Sequence, residues 1–152
     1  MNNKLSSMLI VLALGAAASA PAYSQARPEV LVKQRQAAMT LQGKYFGPLN
    51  GMQQGKIPFD PKIVARNAMY LDVLSRLAWD GFAPSTKGEK SAALPTVFTE
   101  TAKFTQLQDQ FQAESAKLVQ VSKGGDEAAI KNQIQAINKT CAACHDDFRE
   151  KR

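Results

Sequence analysis

Both cysteines and the single histidine of this 152-residue chain fall in one run near its C-terminus, Cys141-Ala142-Ala143-Cys144-His145. That is the spacing of covalent c-type haem attachment. Two thiols three residues apart on a helix share a face, so both reach the two vinyl groups along one edge of a porphyrin. The imidazole that follows then lies under the iron as a neutral nitrogen donor. The motif constrains the fold because a large planar group stapled to the last segment has to be enclosed by what precedes it. The competing reading is a disulfide, structural or thiol-exchanging. A thioredoxin-like pair, however, opens a helix after a strand, and no strand-like alternation precedes this one, so haem attachment is the reading preferred.

Residues 1–26 read as a cleaved secretory signal. Lys4 supplies a positive start, Met8 to Leu14 is apolar but too short to span a bilayer, and small residues follow. Ala18-Ser19-Ala20 has a cleavage pattern that Pro21 blocks, so cleavage is expected after Ser24-Gln25-Ala26, with Ala22 and Ser24 as alternatives. A retained anchor helix is the competing outcome. No second apolar run follows, and no membrane span is expected. Bacterial attachment to CxxCH takes place outside the cytoplasmic membrane, so the expected compartment is the periplasm. Residues 27–152 are then one domain's worth of chain.

The formal charge is +6, and two haem propionates would offset part of it. Lysines and arginines are scattered among the acids rather than gathered in a stripe, which argues against nucleic acid as a partner. A weakly basic face suits a small acidic redox partner, which the sequence does not identify.

Punctuation cuts residues 27–152 into four helical stretches and marks no repeats. The first is expected from Pro28 to about Gly55, with a kink at Pro48. The second follows the Asp60-Pro61 cap and ends near Gly81. A third is expected from Pro95 to Gly124-Gly125, and a fourth, capped by Asp126, runs to the C-terminus. Val97, Phe104, Phe111 and Leu118 recur every seven residues. Ile130, Ile134, Ile137, Cys141, Cys144 and Phe148 step by alternating fours and threes, which places both cysteines on the buried seam and His145 beside it. A porphyrin held there enters the bundle near one end.

Val32, Met39 and Phe46 form an apolar stripe on the first helix, and Ile63, Tyr70, Leu74 and Leu77 one on the second. Met39 has three open roles: core packing, cover for the open face of the haem, or ligation of the iron. Arg35 and Gln36, one turn earlier, either reach propionates or are simply solvated. Trp79 and Phe82 read as core. One histidine allows neither a His-Asp-Ser relay nor a histidine-rich metal cluster, and Asp146 and Asp147 are adjacent and point apart on a helix. The chain is therefore not expected to be an enzyme.

The chain resembles the cytochromes c′, class II c-type cytochromes, over roughly residues 25–152. The resemblance is carried by Arg35-Gln36-Ala37-Ala38-Met39, Phe46-Gly47, Pro58-Phe59-Asp60, Trp79-Asp80-Gly81-Phe82 and the block Cys141 to Arg149. It implies an all-α, antiparallel up-down-up-down four-helix bundle with one covalent haem c. By position it makes Cys141 and Cys144 the thioether cysteines, His145 the axial iron ligand, and Arg149 the basic residue beside the proximal pocket. It puts Arg35 and Gln36 on the propionates, Met39 over the sixth position, and the Thr86 to Glu89 loop at the haem edge. The implied activity is a pentacoordinate, high-spin iron that binds nitric oxide and carbon monoxide and exchanges one electron. The alternative is a low-spin His/Met electron carrier with Met39 as sixth ligand. A homodimer packed through the first two helices is also implied.

Overall fold

The computed structural model describes residues 26–151, so the leader and its cleavage site lie almost wholly outside the described residues. Four helices build it: α1 (Pro28–Gln53), α2 (Pro61–Leu74), α3 (Thr101–Gly124) and α4 (Glu127–Phe148). Each packs on the next, and α4 returns to α1, so α1 and α3 lie on a diagonal of an up-down-up-down bundle. Among the described residues the sole β feature is an isolated antiparallel bridge between Ala93 and Arg149.

Local chemistry fixes the helix ends. Asp60 Oδ1 accepts from the backbone N–H groups of Lys62 (2.8 Å) and Ile63 (3.2 Å), with Pro61 in the first turn. Asp126 Oδ1 accepts likewise from Ala128 (2.9 Å) and Ala129 (3.3 Å). Each such cap contributes about 1 kcal/mol. Gly125 ends α3 at φ 72°, a left-handed conformation that glycine adopts without a Cβ clash. α1 runs through Pro48.

The seam on α3 and α4 lies where the periodicity puts it. Phe104, Phe111, Leu118, Ile130, Ile134, Ile137 and Phe148 are all buried. At one end of the bundle Leu49, Met52, Val64 and Leu71 join the isoleucines and Leu118 in a solid core, where each fully buried side chain contributes about 1.5–3 kcal/mol. At the other end Val97, Phe104 and Phe148 form a second cluster with Trp79, Phe82 and Cys144 packed around it.

Four features depart from the sequence expectations. α2 stops at Leu74 rather than near Gly81, because side chains take over its last carbonyls: Gln42 Nε2 donates to Leu74 O (2.8 Å) and Trp79 Nε1 to Ser75 O. Beyond it the chain tightens into a 3₁₀ turn over Trp79–Phe82. α3 begins at Thr101 rather than Pro95, since Pro95–Phe98 is a separate 3₁₀ turn tied to the end of α4 by Leu94 N–H donating to Phe148 O (2.9 Å). α4 ends at Phe148 for the same reason; Arg149 is extended, and Glu150 N–H donates to Ala92 O (2.9 Å). The buried face of α2 also differs: Val64, Ala68 and Leu71 point inward, whereas Tyr70 and Leu77 are 44% and 56% exposed.

Gly81 is buried where the Trp79–Phe82 turn presses on α1. A Cβ there would meet Arg35 Cβ at 2.4 Å and Leu31 O at 2.7 Å, neither of them a flexible side-chain end. Gly81→Ala is expected to destabilise the fold by about 1–3 kcal/mol, read as a lower urea midpoint at unchanged slope.

Candidate functional site

The hollow end of the bundle encloses a cavity of about 860 Å³, at the upper end of the roughly 300–1,000 Å³ that ligand and cofactor sites span. α4 contributes Cys141, Cys144 and His145 to its wall, and α1 contributes Arg35, Gln36 and Met39. Arg149 closes it from beyond the end of α4. These seven residues therefore line one cavity, whereas the Thr86 to Glu89 loop, expected at the haem edge, does not; the wall there is made by Ser91, Ala92 and Ala93 instead. The rest of the wall is largely aromatic and aliphatic: Phe46, Trp79, Phe82, Phe104, Phe111 and Phe148 all face it. Four of these rings form a contiguous edge-to-face set, Phe104 touching Trp79 (5.9 Å), Phe82 (4.9 Å) and Phe148 (5.2 Å) between centroids. Trp79 and Phe82 thus serve both the core and the cavity wall.

The two thiols sit deep in α4, far from its N-terminus, where no helix dipole acidifies them. Burial pushes the Cys141 thiol up to about 11, with the neighbouring Cys144 adding to the rise and a backbone hydrogen bond opposing it. Cys144 is raised chiefly by burial, further by Asp147, and drawn back partly by Arg149. A thiol-exchanging pair requires the reverse, an acidified thiolate. Both cysteines are free, not joined in a disulfide.

Arg35 is 4% exposed and has no carboxylate partner within salt-bridge range among the described residues. Its Nη1 donates to Gly81 O and to Thr86 Oγ1 (3.3 Å), its Nη2 donates to Ser91 Oγ (2.7 Å), and its guanidinium stacks on Phe82 at 4.5 Å. Burial lowers its pKa from the ordinary value, although a guanidinium stays charged. A buried cation satisfied only by neutral acceptors, at the wall of a cavity, presents a positive field to whatever fills it. Gln36 is exposed at the cavity mouth and Met39 half-buried beside it. Arg149 Nε is buried without a hydrogen-bond partner among the described residues.

These observations test the cofactor that the sequence implies, and the residues fit it. The volume and apolar lining suit a large planar group, and Arg35 and Gln36 suit its acid substituents. The paired thiols suit two thioether bonds. No group of three or more His, Cys, Asp or Glu side chains able to hold a metal exists among the described residues, so an iron here would need a macrocycle to complete its ligand set around His145. Sequence reasoning missed Ser91 and the Ala92-Ala93 stretch, which complete the wall; their only local signal is the cluster of small residues in the long α2–α3 connection.

Fold and cavity together define a four-helix-bundle protein of the class that carries its CxxCH motif on the last helix. The family model for "Cytochrome C'" matches residues 30–149, and the chain belongs to that family. The cytochrome c′ of Rubrivivax gelatinosus is 39% identical over 126 residues, covering 82% of this chain and 98% of the relative. That of Alcaligenes xylosoxydans is 35% identical, covering 84% and 98%. Among solved structures, cytochrome c′ from Rubrivivax gelatinosus superposes with a TM-score of 0.78 at 38% identity, covering 82% of this chain and 98% of that one. A nitric oxide complex of an Alcaligenes xylosoxidans cytochrome c′ variant gives 0.77 at 34%, covering 84% and 99%.

Arg35 offers a direct check of the cavity's construction. Arg35→Met keeps the length of the stem but leaves Gly81 O and Ser91 Oγ without their donor. It is expected to cost about 2–4 kcal/mol and to speed proteolytic nicking between Ala83 and Ser91; unchanged stability and nicking would contradict this account.

Proposed function

We propose that this chain is a periplasmic, non-enzymatic haem c protein whose five-coordinate, high-spin iron binds small gases, nitric oxide and carbon monoxide, and exchanges one electron. The single observation that carries the reading is the convergence of Cys141, Cys144 and His145 with Met39 and Arg35 on one largely apolar cavity. The gas complexes of family members support it: nitric oxide and carbon monoxide complexes exist for variants of the Alcaligenes xylosoxidans cytochrome c′. Export follows from the leader at residues 1–26, and no helix of the described residues is long and apolar enough to cross a membrane.

Haem c would be held through Cys141 and Cys144, with His145 supplying a nitrogen to its iron, and would supply the gas affinity and the redox couple. The chain's own residues decide how that chemistry is used. His145 sits in the last turn of α4, where the helix holds its ring at the cavity wall. Met39, on the facing helix, supplies an apolar side chain with no hydrogen donor. It therefore offers no help to a bound ligand that depends on hydrogen bonding, such as dioxygen, and crowds out bulky ones. Nitric oxide depends on neither. Arg35 and Gln36 would face the propionates, and the aromatic wall excludes water.

A second reading rests on the same side chain. Met39 lines the cavity with a thioether, and ligation through its sulfur would make the site a low-spin His/Met electron carrier with a raised potential. Optical spectra of the purified holoprotein, oxidised and reduced, with and without nitric oxide, discriminate the two. High-spin bands that shift on adding gas are expected. A low-spin His/Met spectrum supports the carrier, and a colourless protein without added mass overturns both. Met39→Ala is expected to speed carbon monoxide binding by roughly tenfold, about 1.4 kcal/mol off the barrier, with the spin state unchanged.

The reading includes a homodimer. Leu41, Met69, Tyr70, Val73 and Leu77, on α1, α2 and just beyond, are 40–59% exposed and flank a shallow apolar groove lined by Ala37, Ala38 and Leu74. A two-fold interface would cover this patch on both copies at once. Sedimentation at micromolar concentration is expected to give a dimer, and Val73→Asp with Leu77→Asp a folded monomer. A wild-type monomer would count against the interface.

A further inference from the structure

Exposed residues at the cavity mouth lie on α1 and α4: Gln36, Thr40 and Gly43 on one helix, Asn138, Ala142 and Asp146 on the other, with Asp146 the only charged one among these six. A Cβ built on Gly43 meets nothing within 4 Å, so no side chain screens the opening there. Cations stand along both rims. Lys33, Thr40 and Lys44 are spaced by seven and four residues and share a stripe of α1; Lys139 and Ala142 share one on α4. All three lysines are exposed and make no ion pair among the described residues. Asp146 is the one acid among the residues lining the cavity.

We infer that this α1–α4 mouth is the electron-exchange face of the protein, and that Lys33, Lys44 and Lys139 select an anionic one-electron partner. The inference rests on the haem reading above. Two features of the mouth combine. Electron exchange falls steeply with distance, so the partner has to dock where the wall is thinnest, and three lysines without ion pairs among the described residues, set against the single acid Asp146, steer an acidic surface onto it. The apolar α1–α2 face has neither feature.

The test uses the holoprotein reduced to the ferrous form, with hexacyanoferrate(III) as anionic oxidant and tris(phenanthroline)cobalt(III) as cationic oxidant. One electron passes from iron to reagent in each case, leaving ferric protein and hexacyanoferrate(II) or the cobalt(II) complex, with no proton transferred. At low ionic strength Lys44→Glu with Lys139→Glu is expected to slow the anionic reaction roughly three- to tenfold and to speed the cationic one, and salt should erase both effects. The control, Lys117→Glu with Lys123→Glu on α3, changes net charge equally and should move neither rate by a comparable factor. A binding readout independent of electron transfer comes from hexacyanochromate(III), a redox-inert paramagnetic anion. It should broaden the amide resonances of Thr40–Lys44 and Asn138–Ala142 and spare those of α3. Equal effects from both charge-reversal pairs, or broadening confined elsewhere, would overturn the assignment. A protein that emerges without haem fails the earlier reading instead, which its spectrum reports before any rate is measured.

Discussion

The buried guanidinium of Arg35 holds the hollow end of this bundle together. α1 alone cannot wall a cavity of this size, and the long connection between α2 and α3 has no regular structure to brace it beyond short 3₁₀ turns. Arg35 draws that connection in by reaching Gly81, Thr86 and Ser91 at once while Phe82 covers its flat face. Gly81 lacks a side chain so that the turn can lie against the arginine stem. Removing a charge from water without a counter-charge is costly. The interaction is sustained by several hydrogen bonds and one aromatic face rather than by an ion pair.

The two ends of the molecule are built on different principles. At the solid end, aliphatic side chains from all four helices meet, and buried amides tie neighbouring helices through backbone carbonyls. Asn67 Nδ2 donates to Tyr45 O (3.0 Å) across α1 and α2, and Gln133 Nε2 to Glu114 O (3.0 Å) across α3 and α4. Such contacts fix helix register without filling space. At the other end the same seam of α4 delivers two thiols and an imidazole into open volume, with aromatic rings standing back around them. One heptad pattern therefore serves packing over half its length and cofactor enclosure over the rest.

Much of this was legible in the sequence because it is local or periodic. The spacing of Cys141, Cys144 and His145 and the fours and threes from Ile130 onward were sufficient to place the motif on an inward face, and the Asp60 and Asp126 caps set two helix starts. The family resemblance and the four-helix architecture held. What failed was decided by contacts between distant segments. α2 ends early because Gln42, 32 residues away, claims Leu74 O. Tyr70 and Leu77 looked like core because an apolar outward face has the same period as an inward one. No local signal announced that Arg149 leaves the helix, since its partner lies in the connection near Ala93.

That last pairing bears on how the compartment is closed. Residues 92–94 cross the segment at 148–150 through reciprocal backbone hydrogen bonds, so one wall of the compartment is tied down only by residues that follow Cys141, Cys144 and His145 in the chain. Loosening those two hydrogen bonds would swing Ala92 and Ala93 away from the thiols without disturbing the solid end of the bundle. The latch is therefore a local element of the wall, separable from the core that holds the four helices together.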